Sequence, residues 1–160
     1  MKKKYNFYFI MSLSLFLLSL TQETFCTSSS CHKSSGGLSV LIMGLIGNIF
    51  LMGISSTAIF TWIANPLLFL SWITKKSNMK QSLTFSIFSF IFSFSFLFFD
   101  KIMMDESGSL RKIHGYKIGY FLWLLSTFTM MIGNLINYKE REKYFYFIRF
   151  LFSKKTLDIN

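Results

Sequence analysis

The sequence predicts an all-α fold, an integral membrane bundle of about four transmembrane helices with a possible interfacial or re-entrant outer helix at 38–53. Composition is the first reason: 52% of the 160 residues are hydrophobic, 19% are aromatic and only 15% are charged, whereas soluble domains average about 25% charged residues. Charge distribution is the second reason. Residues 38–73, 81–99 and 118–138 carry no charged side chain. A stretch of about 20 such residues is long enough to cross a hydrocarbon layer of roughly 30 Å.

The first segment, 1–20, begins with three lysines and continues with a run of apolar and small residues. This layout is typical of a secretory signal peptide or of a first transmembrane helix. The small-x-small cleavage pattern is poor after Leu20, and the residues before Cys26 are not the small ones that a lipoprotein signal needs. The sequence therefore favours an uncleaved first helix, with cleavage as the alternative.

A polar, serine-rich outer loop is predicted at 21–37, ending at a glycine pair that breaks any helix before the next apolar run. It contains the only two cysteines, Cys26 and Cys31. Outside the cytoplasm they are expected to form a structural disulfide. The alternative is a thiol-disulfide oxidoreductase, but such an enzyme needs a second cysteine pair or a relay cysteine, and this chain has neither.

The uncharged stretch 38–73 reaches about 54 Å as one helix, which is too long for one crossing and short for two. Basic residues decide between these, because they concentrate on the cytoplasmic side. One crossing places twelve basic residues inside and five outside, whereas two crossings place seven inside and ten outside. We therefore expect 38–53 on the outer side and a span at about 56–74, with the two-crossing alternative left open.

Two later spans, 82–99 and 118–138, each carry small residues at helical spacing. These stripes are predicted to let helices approach closely in lipid, where expulsion of water no longer drives association. They consist of Ser82, Ser86, Ser89 and Ser93 in the first span, and of Gly119, Ser126 and Gly133 in the second.

Asn65-Pro66 interrupts the uncharged stretch 38–73. Pro66 has no N–H, so the carbonyl of Trp62, four residues earlier, loses its helical partner. In lipid that carbonyl needs another donor, and the Asn65 amide can donate to it or bond to a neighbouring helix. Two interpretations compete: a kinked structural helix, or a broken helix lining a polar cavity together with Asn48 and Asn134.

The segment TWIANPLLFLSWI, the preceding cysteine-containing loop and the later GYFLWLLS resemble a loose group of uncharacterised bacterial membrane proteins. These share a Trp-x-Ala-Asn-Pro-Leu-Leu core followed by a basic loop. The resemblance covers about residues 20–137, and its fairly specific part is Trp62 to Leu68. It implies a membrane location and no particular activity.

The basic and aromatic tail, 139–160, follows the membrane domain 38–138. Aromatic rings and basic side chains settle at the headgroup boundary, so the tail is expected to contact anionic lipid headgroups at the cytoplasmic surface; a partner-binding helix is the alternative. The net charge of +10 does not indicate nucleic-acid binding, because no binding module is present. We expect a multi-pass protein of the bacterial cytoplasmic (inner) membrane, with both termini cytoplasmic.

No catalytic constellation, cofactor motif or metal-ligand spacing is found. His32 and His114 both fall in outer connections, and nothing in their spacing requires a metal. The acidic residues of the 100–117 loop lie among basic ones and are expected to be solvated. The first hypothesis is a non-enzymatic structural or partner-binding bundle in the lipid bilayer, as a homo-oligomer or with a membrane partner. The alternatives are a small transporter or channel subunit using Asn65-Pro66, and the oxidoreductase.

Overall fold

The structure, a computed structural model, describes residues 2–27, 34–50, 61–103 and 110–157, with side chains at 6–27, 35–46, 61–102 and 111–143. The described chain is mostly helical, which confirms the helical part of the prediction. Its five α-helices are α1 (Lys2–Thr21), α2 (Gly37–Phe50), α3 (Ala64–Thr74), α4 (Met79–Ser95) and α5 (Ile118–Leu157). A short 3₁₀ turn, Phe96–Phe98, extends α4.

Two of the described helices are long and apolar enough to cross a membrane, at Met79–Phe98 and Ile118–Lys143. This indicates membrane association. The apolar parts of α1 and α2 are shorter, and α3, from Ala64 to Thr74, has 11 residues; the predicted span start near residue 56 lies outside the described residues. By length and composition, the predicted set of four full-length spans is therefore not supported. Helix α5 continues past residue 138 to Leu157.

The helices α1, α3, α4 and α5 run antiparallel to their sequence neighbours, and α5 packs against both α1 and α4. The α3–α4 hairpin turns through residues 75–78, where the Asn78 side chain caps α4 by accepting from Gln81 N. We call this end, with Lys75, Lys76 and Lys80, the lysine end. The opposite end, where α1 stops and α5 starts, we call the sheet end. Helix α2 begins at the sheet end, where Gly37 N donates to Gln22 O at 2.8 Å.

The connections at the sheet end form strands, so the all-α prediction is wrong there. Strand β1 (Glu23–Cys26) lies between β2 (Ser34–Gly36) and β5 (Gly115–Tyr116), antiparallel to both. A separate hairpin pairs β3 (Lys101–Met103) with β4 (Leu110–Lys112). Backbone groups in a connection need partners just as those in a helix do. Strand β1 pairs with β5, about 90 residues further along the chain. Local sequence patterns do not reveal such a pairing.

Burial differs from that of a soluble bundle, because polar side chains share the interior with apolar ones such as Phe16, Leu68 and Met130. The residues at 0% exposure include seven serines, namely Ser12, Ser71, Ser82, Ser86, Ser89, Ser93 and Ser126. Many large apolar side chains point outward: Phe98 is 74% exposed and Ile73 is 73% exposed. A helix in water turns its apolar stripe to the core and its polar face outward. The predicted serine face of α4 is confirmed, because all four of its serines are buried.

The second predicted stripe, on α5, is also confirmed as a close-packing surface, against α1 and the start of β1. A Cβ on Gly119 would lie 2.6 Å from Glu23 O, and a Cβ on Gly133 would overlap the Tyr8 side chain. Between them, Ser126 bonds to Ser12. The segment from α1 to β1 approaches the α5 backbone closely at these three positions, and these contacts fix the position of α1 along α5.

Replacement of Gly133 by alanine tests this contact. Alanine favours a helix by up to about 1 kcal/mol over glycine, so a packing-neutral site would gain stability. We expect Gly133→Ala to lose about 1–3 kcal/mol through overpacking against Tyr8, measured as a lowered midpoint of thermal unfolding by circular dichroism. Gly36→Ala is the matched control, because its Cβ would meet only Ser39 Oγ at 4.0 Å. Equal effects of the two substitutions would contradict the close packing of α1 on α5.

Candidate functional site

Thr61 is helical and Trp62 and Ile63 form a turn; residues 51–60 lie outside the described residues, so the predicted mid-span break stays a prediction. Pro66 lies just after this turn. It is the third residue of α3, which begins at Ala64 after the cap residue Ile63. The first four N–H groups of a helix have no intrahelical acceptor, so a proline there removes no hydrogen bond. Regular bonding begins with the next residue, where Leu67 N donates to Ile63 O at 3.2 Å.

The carbonyl of Trp62 receives two donors from Asn65. The backbone N–H of Asn65 lies 3.0 Å from Trp62 O, and its side-chain Nδ2 lies 3.2 Å from the same oxygen. Asn65 Oδ1 accepts from Trp123 Nε1 on α5 at 2.9 Å. Asn65 is 6% exposed, and both ends of its amide are occupied. The amide therefore links the start of α3 to α5.

Trp62 continues this linkage to α2. Its Nε1 donates to Leu41 O at 2.9 Å, and its indole ring lies where a side chain on Gly44 would be. Because Gly44 has no side chain, the Trp62 ring can pack directly against the α2 backbone. Sequence reasoning singled out Trp62 and Asn65 but missed Trp123 and Gly44. Their signal was weak, because an isolated tryptophan or glycine in an apolar run has no characteristic spacing.

Asn134 lies in a second polar cluster, nearer the lysine end. Its Nδ2 is 3.0 Å from each of four oxygens, namely Ser71 Oγ, Ser82 O, Ser82 Oγ and Ser86 Oγ. An amide nitrogen has two hydrogens, so these contacts are shared. Asn134 Oδ1 is buried and has no hydrogen-bond partner among the described residues.

Ser71 and Ser82 form a reciprocal pair beside this amide. Ser71 Oγ donates to Ser82 O at 3.0 Å, and Ser82 Oγ donates to Ser71 O at 2.8 Å. Ser12 and Ser126 repeat the arrangement between α1 and α5, at 3.0 and 2.8 Å. Each hydroxyl reaches the backbone carbonyl of the facing helix, which is possible because both residues are small. We call these two pairs the serine clasps.

The two asparagines make different interhelical contacts. Trp123, which bonds to Asn65, precedes Asn134 by eleven positions on α5, a separation of about 16 Å along the helix axis. Asn48, the third member of the predicted cavity, lies outside the residues whose side chains are described. The described polar groups therefore form separate interhelical contacts at different depths of the bundle.

Cys26 is in the central strand β1 and is 1% exposed. It is not a free cysteine. Cys31 and His32 lie outside the described residues, so the Cys26–Cys31 pair stays a prediction. His114, in the connection before β5, is exposed. Within the part of the chain that the structure describes, no group of His, Cys, Asp or Glu is arranged to hold a metal ion.

Lys75 stands out at the lysine end, being 6% exposed. Its Nζ lies 3.3 Å from the centroid of the Phe9 ring, a cation–π contact. Burial, and secondly the neighbouring Lys76, lower the pKa of Lys75. A cation held in this position makes the lysine end electropositive at its boundary with the apolar surface.

No protein-family model, curated protein or solved structure matches this chain. The resemblance of the Trp62 to Leu68 segment to uncharacterised bacterial membrane proteins stays a prediction, and the function rests on the geometry alone.

A double-mutant cycle tests the link between α3 and α5. We expect Asn65→Ala and Trp123→Phe to couple by about 0.6 kcal/mol and by no more than about 2 kcal/mol, the range for hydrogen bonds between helices in lipid. The readout is the free energy of unfolding of the two single variants and the double variant. Trp72→Phe is the matched control for Trp123→Phe, because Trp72 Nε1 bonds to Ser12 Oγ instead. Additivity of Asn65→Ala with Trp123→Phe would contradict the bond.

Size at the serine clasp is tested by Ser82→Leu. A larger side chain at this fully buried position separates α4 from α3 and α5, with an expected loss of about 1–3 kcal/mol. Ser82→Ala, which keeps the close approach, is expected to lose well under half as much. Thr84→Leu is the control on the exposed face of the same helix, with an expected change within about 0.5 kcal/mol. If Ser82→Leu is as mild as Thr84→Leu, the clasp does not require small residues.

Proposed function

We propose that this chain is an integral membrane protein whose bundle of α1, α3, α4 and α5 has a structural or partner-binding role. The observation that carries the proposal is the burial pattern: buried serine, threonine and asparagine side chains share the contacts between helices with a small apolar core, while many phenylalanine, isoleucine and leucine side chains lie exposed on the outside. In water the apolar surface would drive aggregation. In lipid the same surface is solvated by acyl chains, and close packing with hydrogen bonds holds the helices together.

The interior contacts support a structural role over a transporter. Both ends of the Asn65 amide are bonded, and the serine hydroxyls beside Asn134 each donate to a carbonyl. Bonded polar groups at separate depths do not make a continuous path. An oxidoreductase is disfavoured because Cys26 is 1% exposed, whereas a reactive cysteine needs access to its substrate.

The proposed topology has both termini in the cytoplasm and the lysine end facing it, in the inner membrane of a bacterium. Its support is the clustering of Lys75, Lys76 and Lys80 at one end, as the excess of basic residues in cytoplasmic connections requires. Helix α2 starts at the sheet end, and α3 runs from the level of Trp123 to the lysine end. These directions are consistent with one net crossing between Gly37 and Thr74. The proposal includes α1 as a retained helix, because its contacts with α5 run from Tyr8 to Glu23.

Membrane extraction tests the proposal. We expect the untagged chain to stay with membranes through an alkaline carbonate wash and to be released as a single species only by detergent. For topology, a cysteine placed at Ser77 is expected to react with an impermeant maleimide from the cytoplasmic side. One placed at Lys112 should react from the other side. Recovery as a monodisperse particle in detergent-free buffer would overturn the membrane proposal, and reversed labelling would overturn the topology alone.

The structural role has its own test. Proteoliposomes containing the purified chain are expected to release entrapped ions and small polar solutes at the rate of empty vesicles. Wild type and Asn65→Ala are compared, because removal of the amide would alter flux only if the residue lined a path. A flux that requires the protein and changes in Asn65→Ala would favour the transporter alternative.

A further inference from the structure

The lysine end carries a surface that the bundle itself does not use. Lys76 and Lys80 are exposed, and neither forms an ion pair within the described residues, where the one salt bridge joins Lys117 to Glu23 at the other end. The sequence has no Asp or Glu between Glu23 and Asp100. The α3–α4 hairpin therefore contains lysines and no carboxylate of its own to neutralise them.

Each of these lysines lies at the end of an exposed stripe: Lys80 within α4, and Lys76 in the turn that follows α3, where Lys75 keeps helical backbone angles. On α3, Leu70 and Ile73 are 42% and 73% exposed, and Lys76 follows at the same spacing of three. On α4, Lys80 is followed at spacings of four by Thr84 and Phe88, which are both exposed. Residues three or four apart lie on one face of a helix. Both stripes thus lead from an apolar surface to a lysine at the lysine end.

A cation beside an exposed apolar stripe matches one class of ligand. The charge fits a phosphodiester, and the apolar residues fit the acyl chains attached to it. A free phosphate ion would use only the charge. Trp72, whose ring centroid lies 6.2 Å from that of Phe9 near Lys75, belongs to a residue type that settles at the headgroup level of a bilayer.

We propose that the α3–α4 hairpin is a binding site for an anionic phospholipid, with the phosphodiester at Lys76 and Lys80 and an acyl chain along Leu70 and Ile73. The site rests on the proposed membrane location and differs in place from the basic tail at 139–160. It gives the bundle a ligand that stabilises the hairpin. Burial and Lys76 both disfavour the charge of Lys75, and a bound anion offsets this.

The test uses the full chain in mild detergent, titrated with phosphatidylglycerol and read by the midpoint of thermal unfolding. We expect a saturable rise with phosphatidylglycerol, a much smaller rise with phosphatidylcholine, and none with inorganic phosphate at the same concentration. Lys76→Gln with Lys80→Gln is expected to weaken the apparent affinity roughly five-fold for each lysine removed.

The matched control removes the same charge at the sheet end. Lys101 and Lys112 face each other across β3 and β4 and are both exposed, so Lys101→Gln with Lys112→Gln should leave the affinity unchanged. Equal loss in both double variants would overturn the site in favour of unspecific charge attraction. Ile73→Ser separates the two sources of phosphate, since it should weaken binding of the lipid only.

A response to inorganic phosphate that equals the response to phosphatidylglycerol and is unchanged by Ile73→Ser would also overturn the lipid site. The proposed membrane location fails by a different result, namely solubility without detergent, so the two failures are distinguishable. Both double variants replace exposed lysines, and circular dichroism spectra identical to wild type before unfolding would show that the fold is intact.

Discussion

Close approach of helix backbones is the constraint on which this bundle depends. In each serine clasp a hydroxyl on one helix donates to a main-chain carbonyl on the other, and the partner returns the bond. Such a bond reaches across only where neither helix carries a bulky side chain. Glycines on α5 meet the same requirement on either side of Ser126. Small residues thus serve both packing and hydrogen bonding, and many of the large apolar side chains lie on the outer surface.

The same constraint explains the central position of α5. This helix bonds to α1 through Ser126, to α3 through Trp123 and Asn134, and to α4 through Asn134 and Thr127. These contacts lie at successive depths, so each neighbouring helix is held at more than one level. At the sheet end, β5 joins β1, and the Lys117 Nζ–Glu23 Oε2 ion pair at 2.7 Å adds a polar contact. The sheet therefore holds the end of α1 near the start of α5, where no serine clasp joins them.

The two buried asparagines are satisfied unequally. Asn65 uses both its donor and its acceptor. Its side chain and its backbone N–H both donate to the Trp62 carbonyl at the start of α3. Asn134 uses its nitrogen for four oxygens and leaves Oδ1 without a partner in the described structure. An unmade bond to a buried carbonyl costs about 1–3 kcal/mol. Asn134 is therefore the one described interior contact where hydrogen bonding is incomplete.

The sequence by itself determined the helical content, the stripes of small residues and the involvement of Trp62 and Asn65, because each depends on spacing within one helix or on a single missing N–H. It did not reveal that α3 begins at Ala64, because the first turn of α3 has no local signal that distinguishes it from the apolar run around it. It treated the connections as loops, although β1 pairs with β5 far along the chain. The partners of the polar groups were decided only by tertiary structure. Spacing tells which face of a helix a serine or an asparagine occupies, whereas the depth at which it meets another helix depends on how the backbones pack.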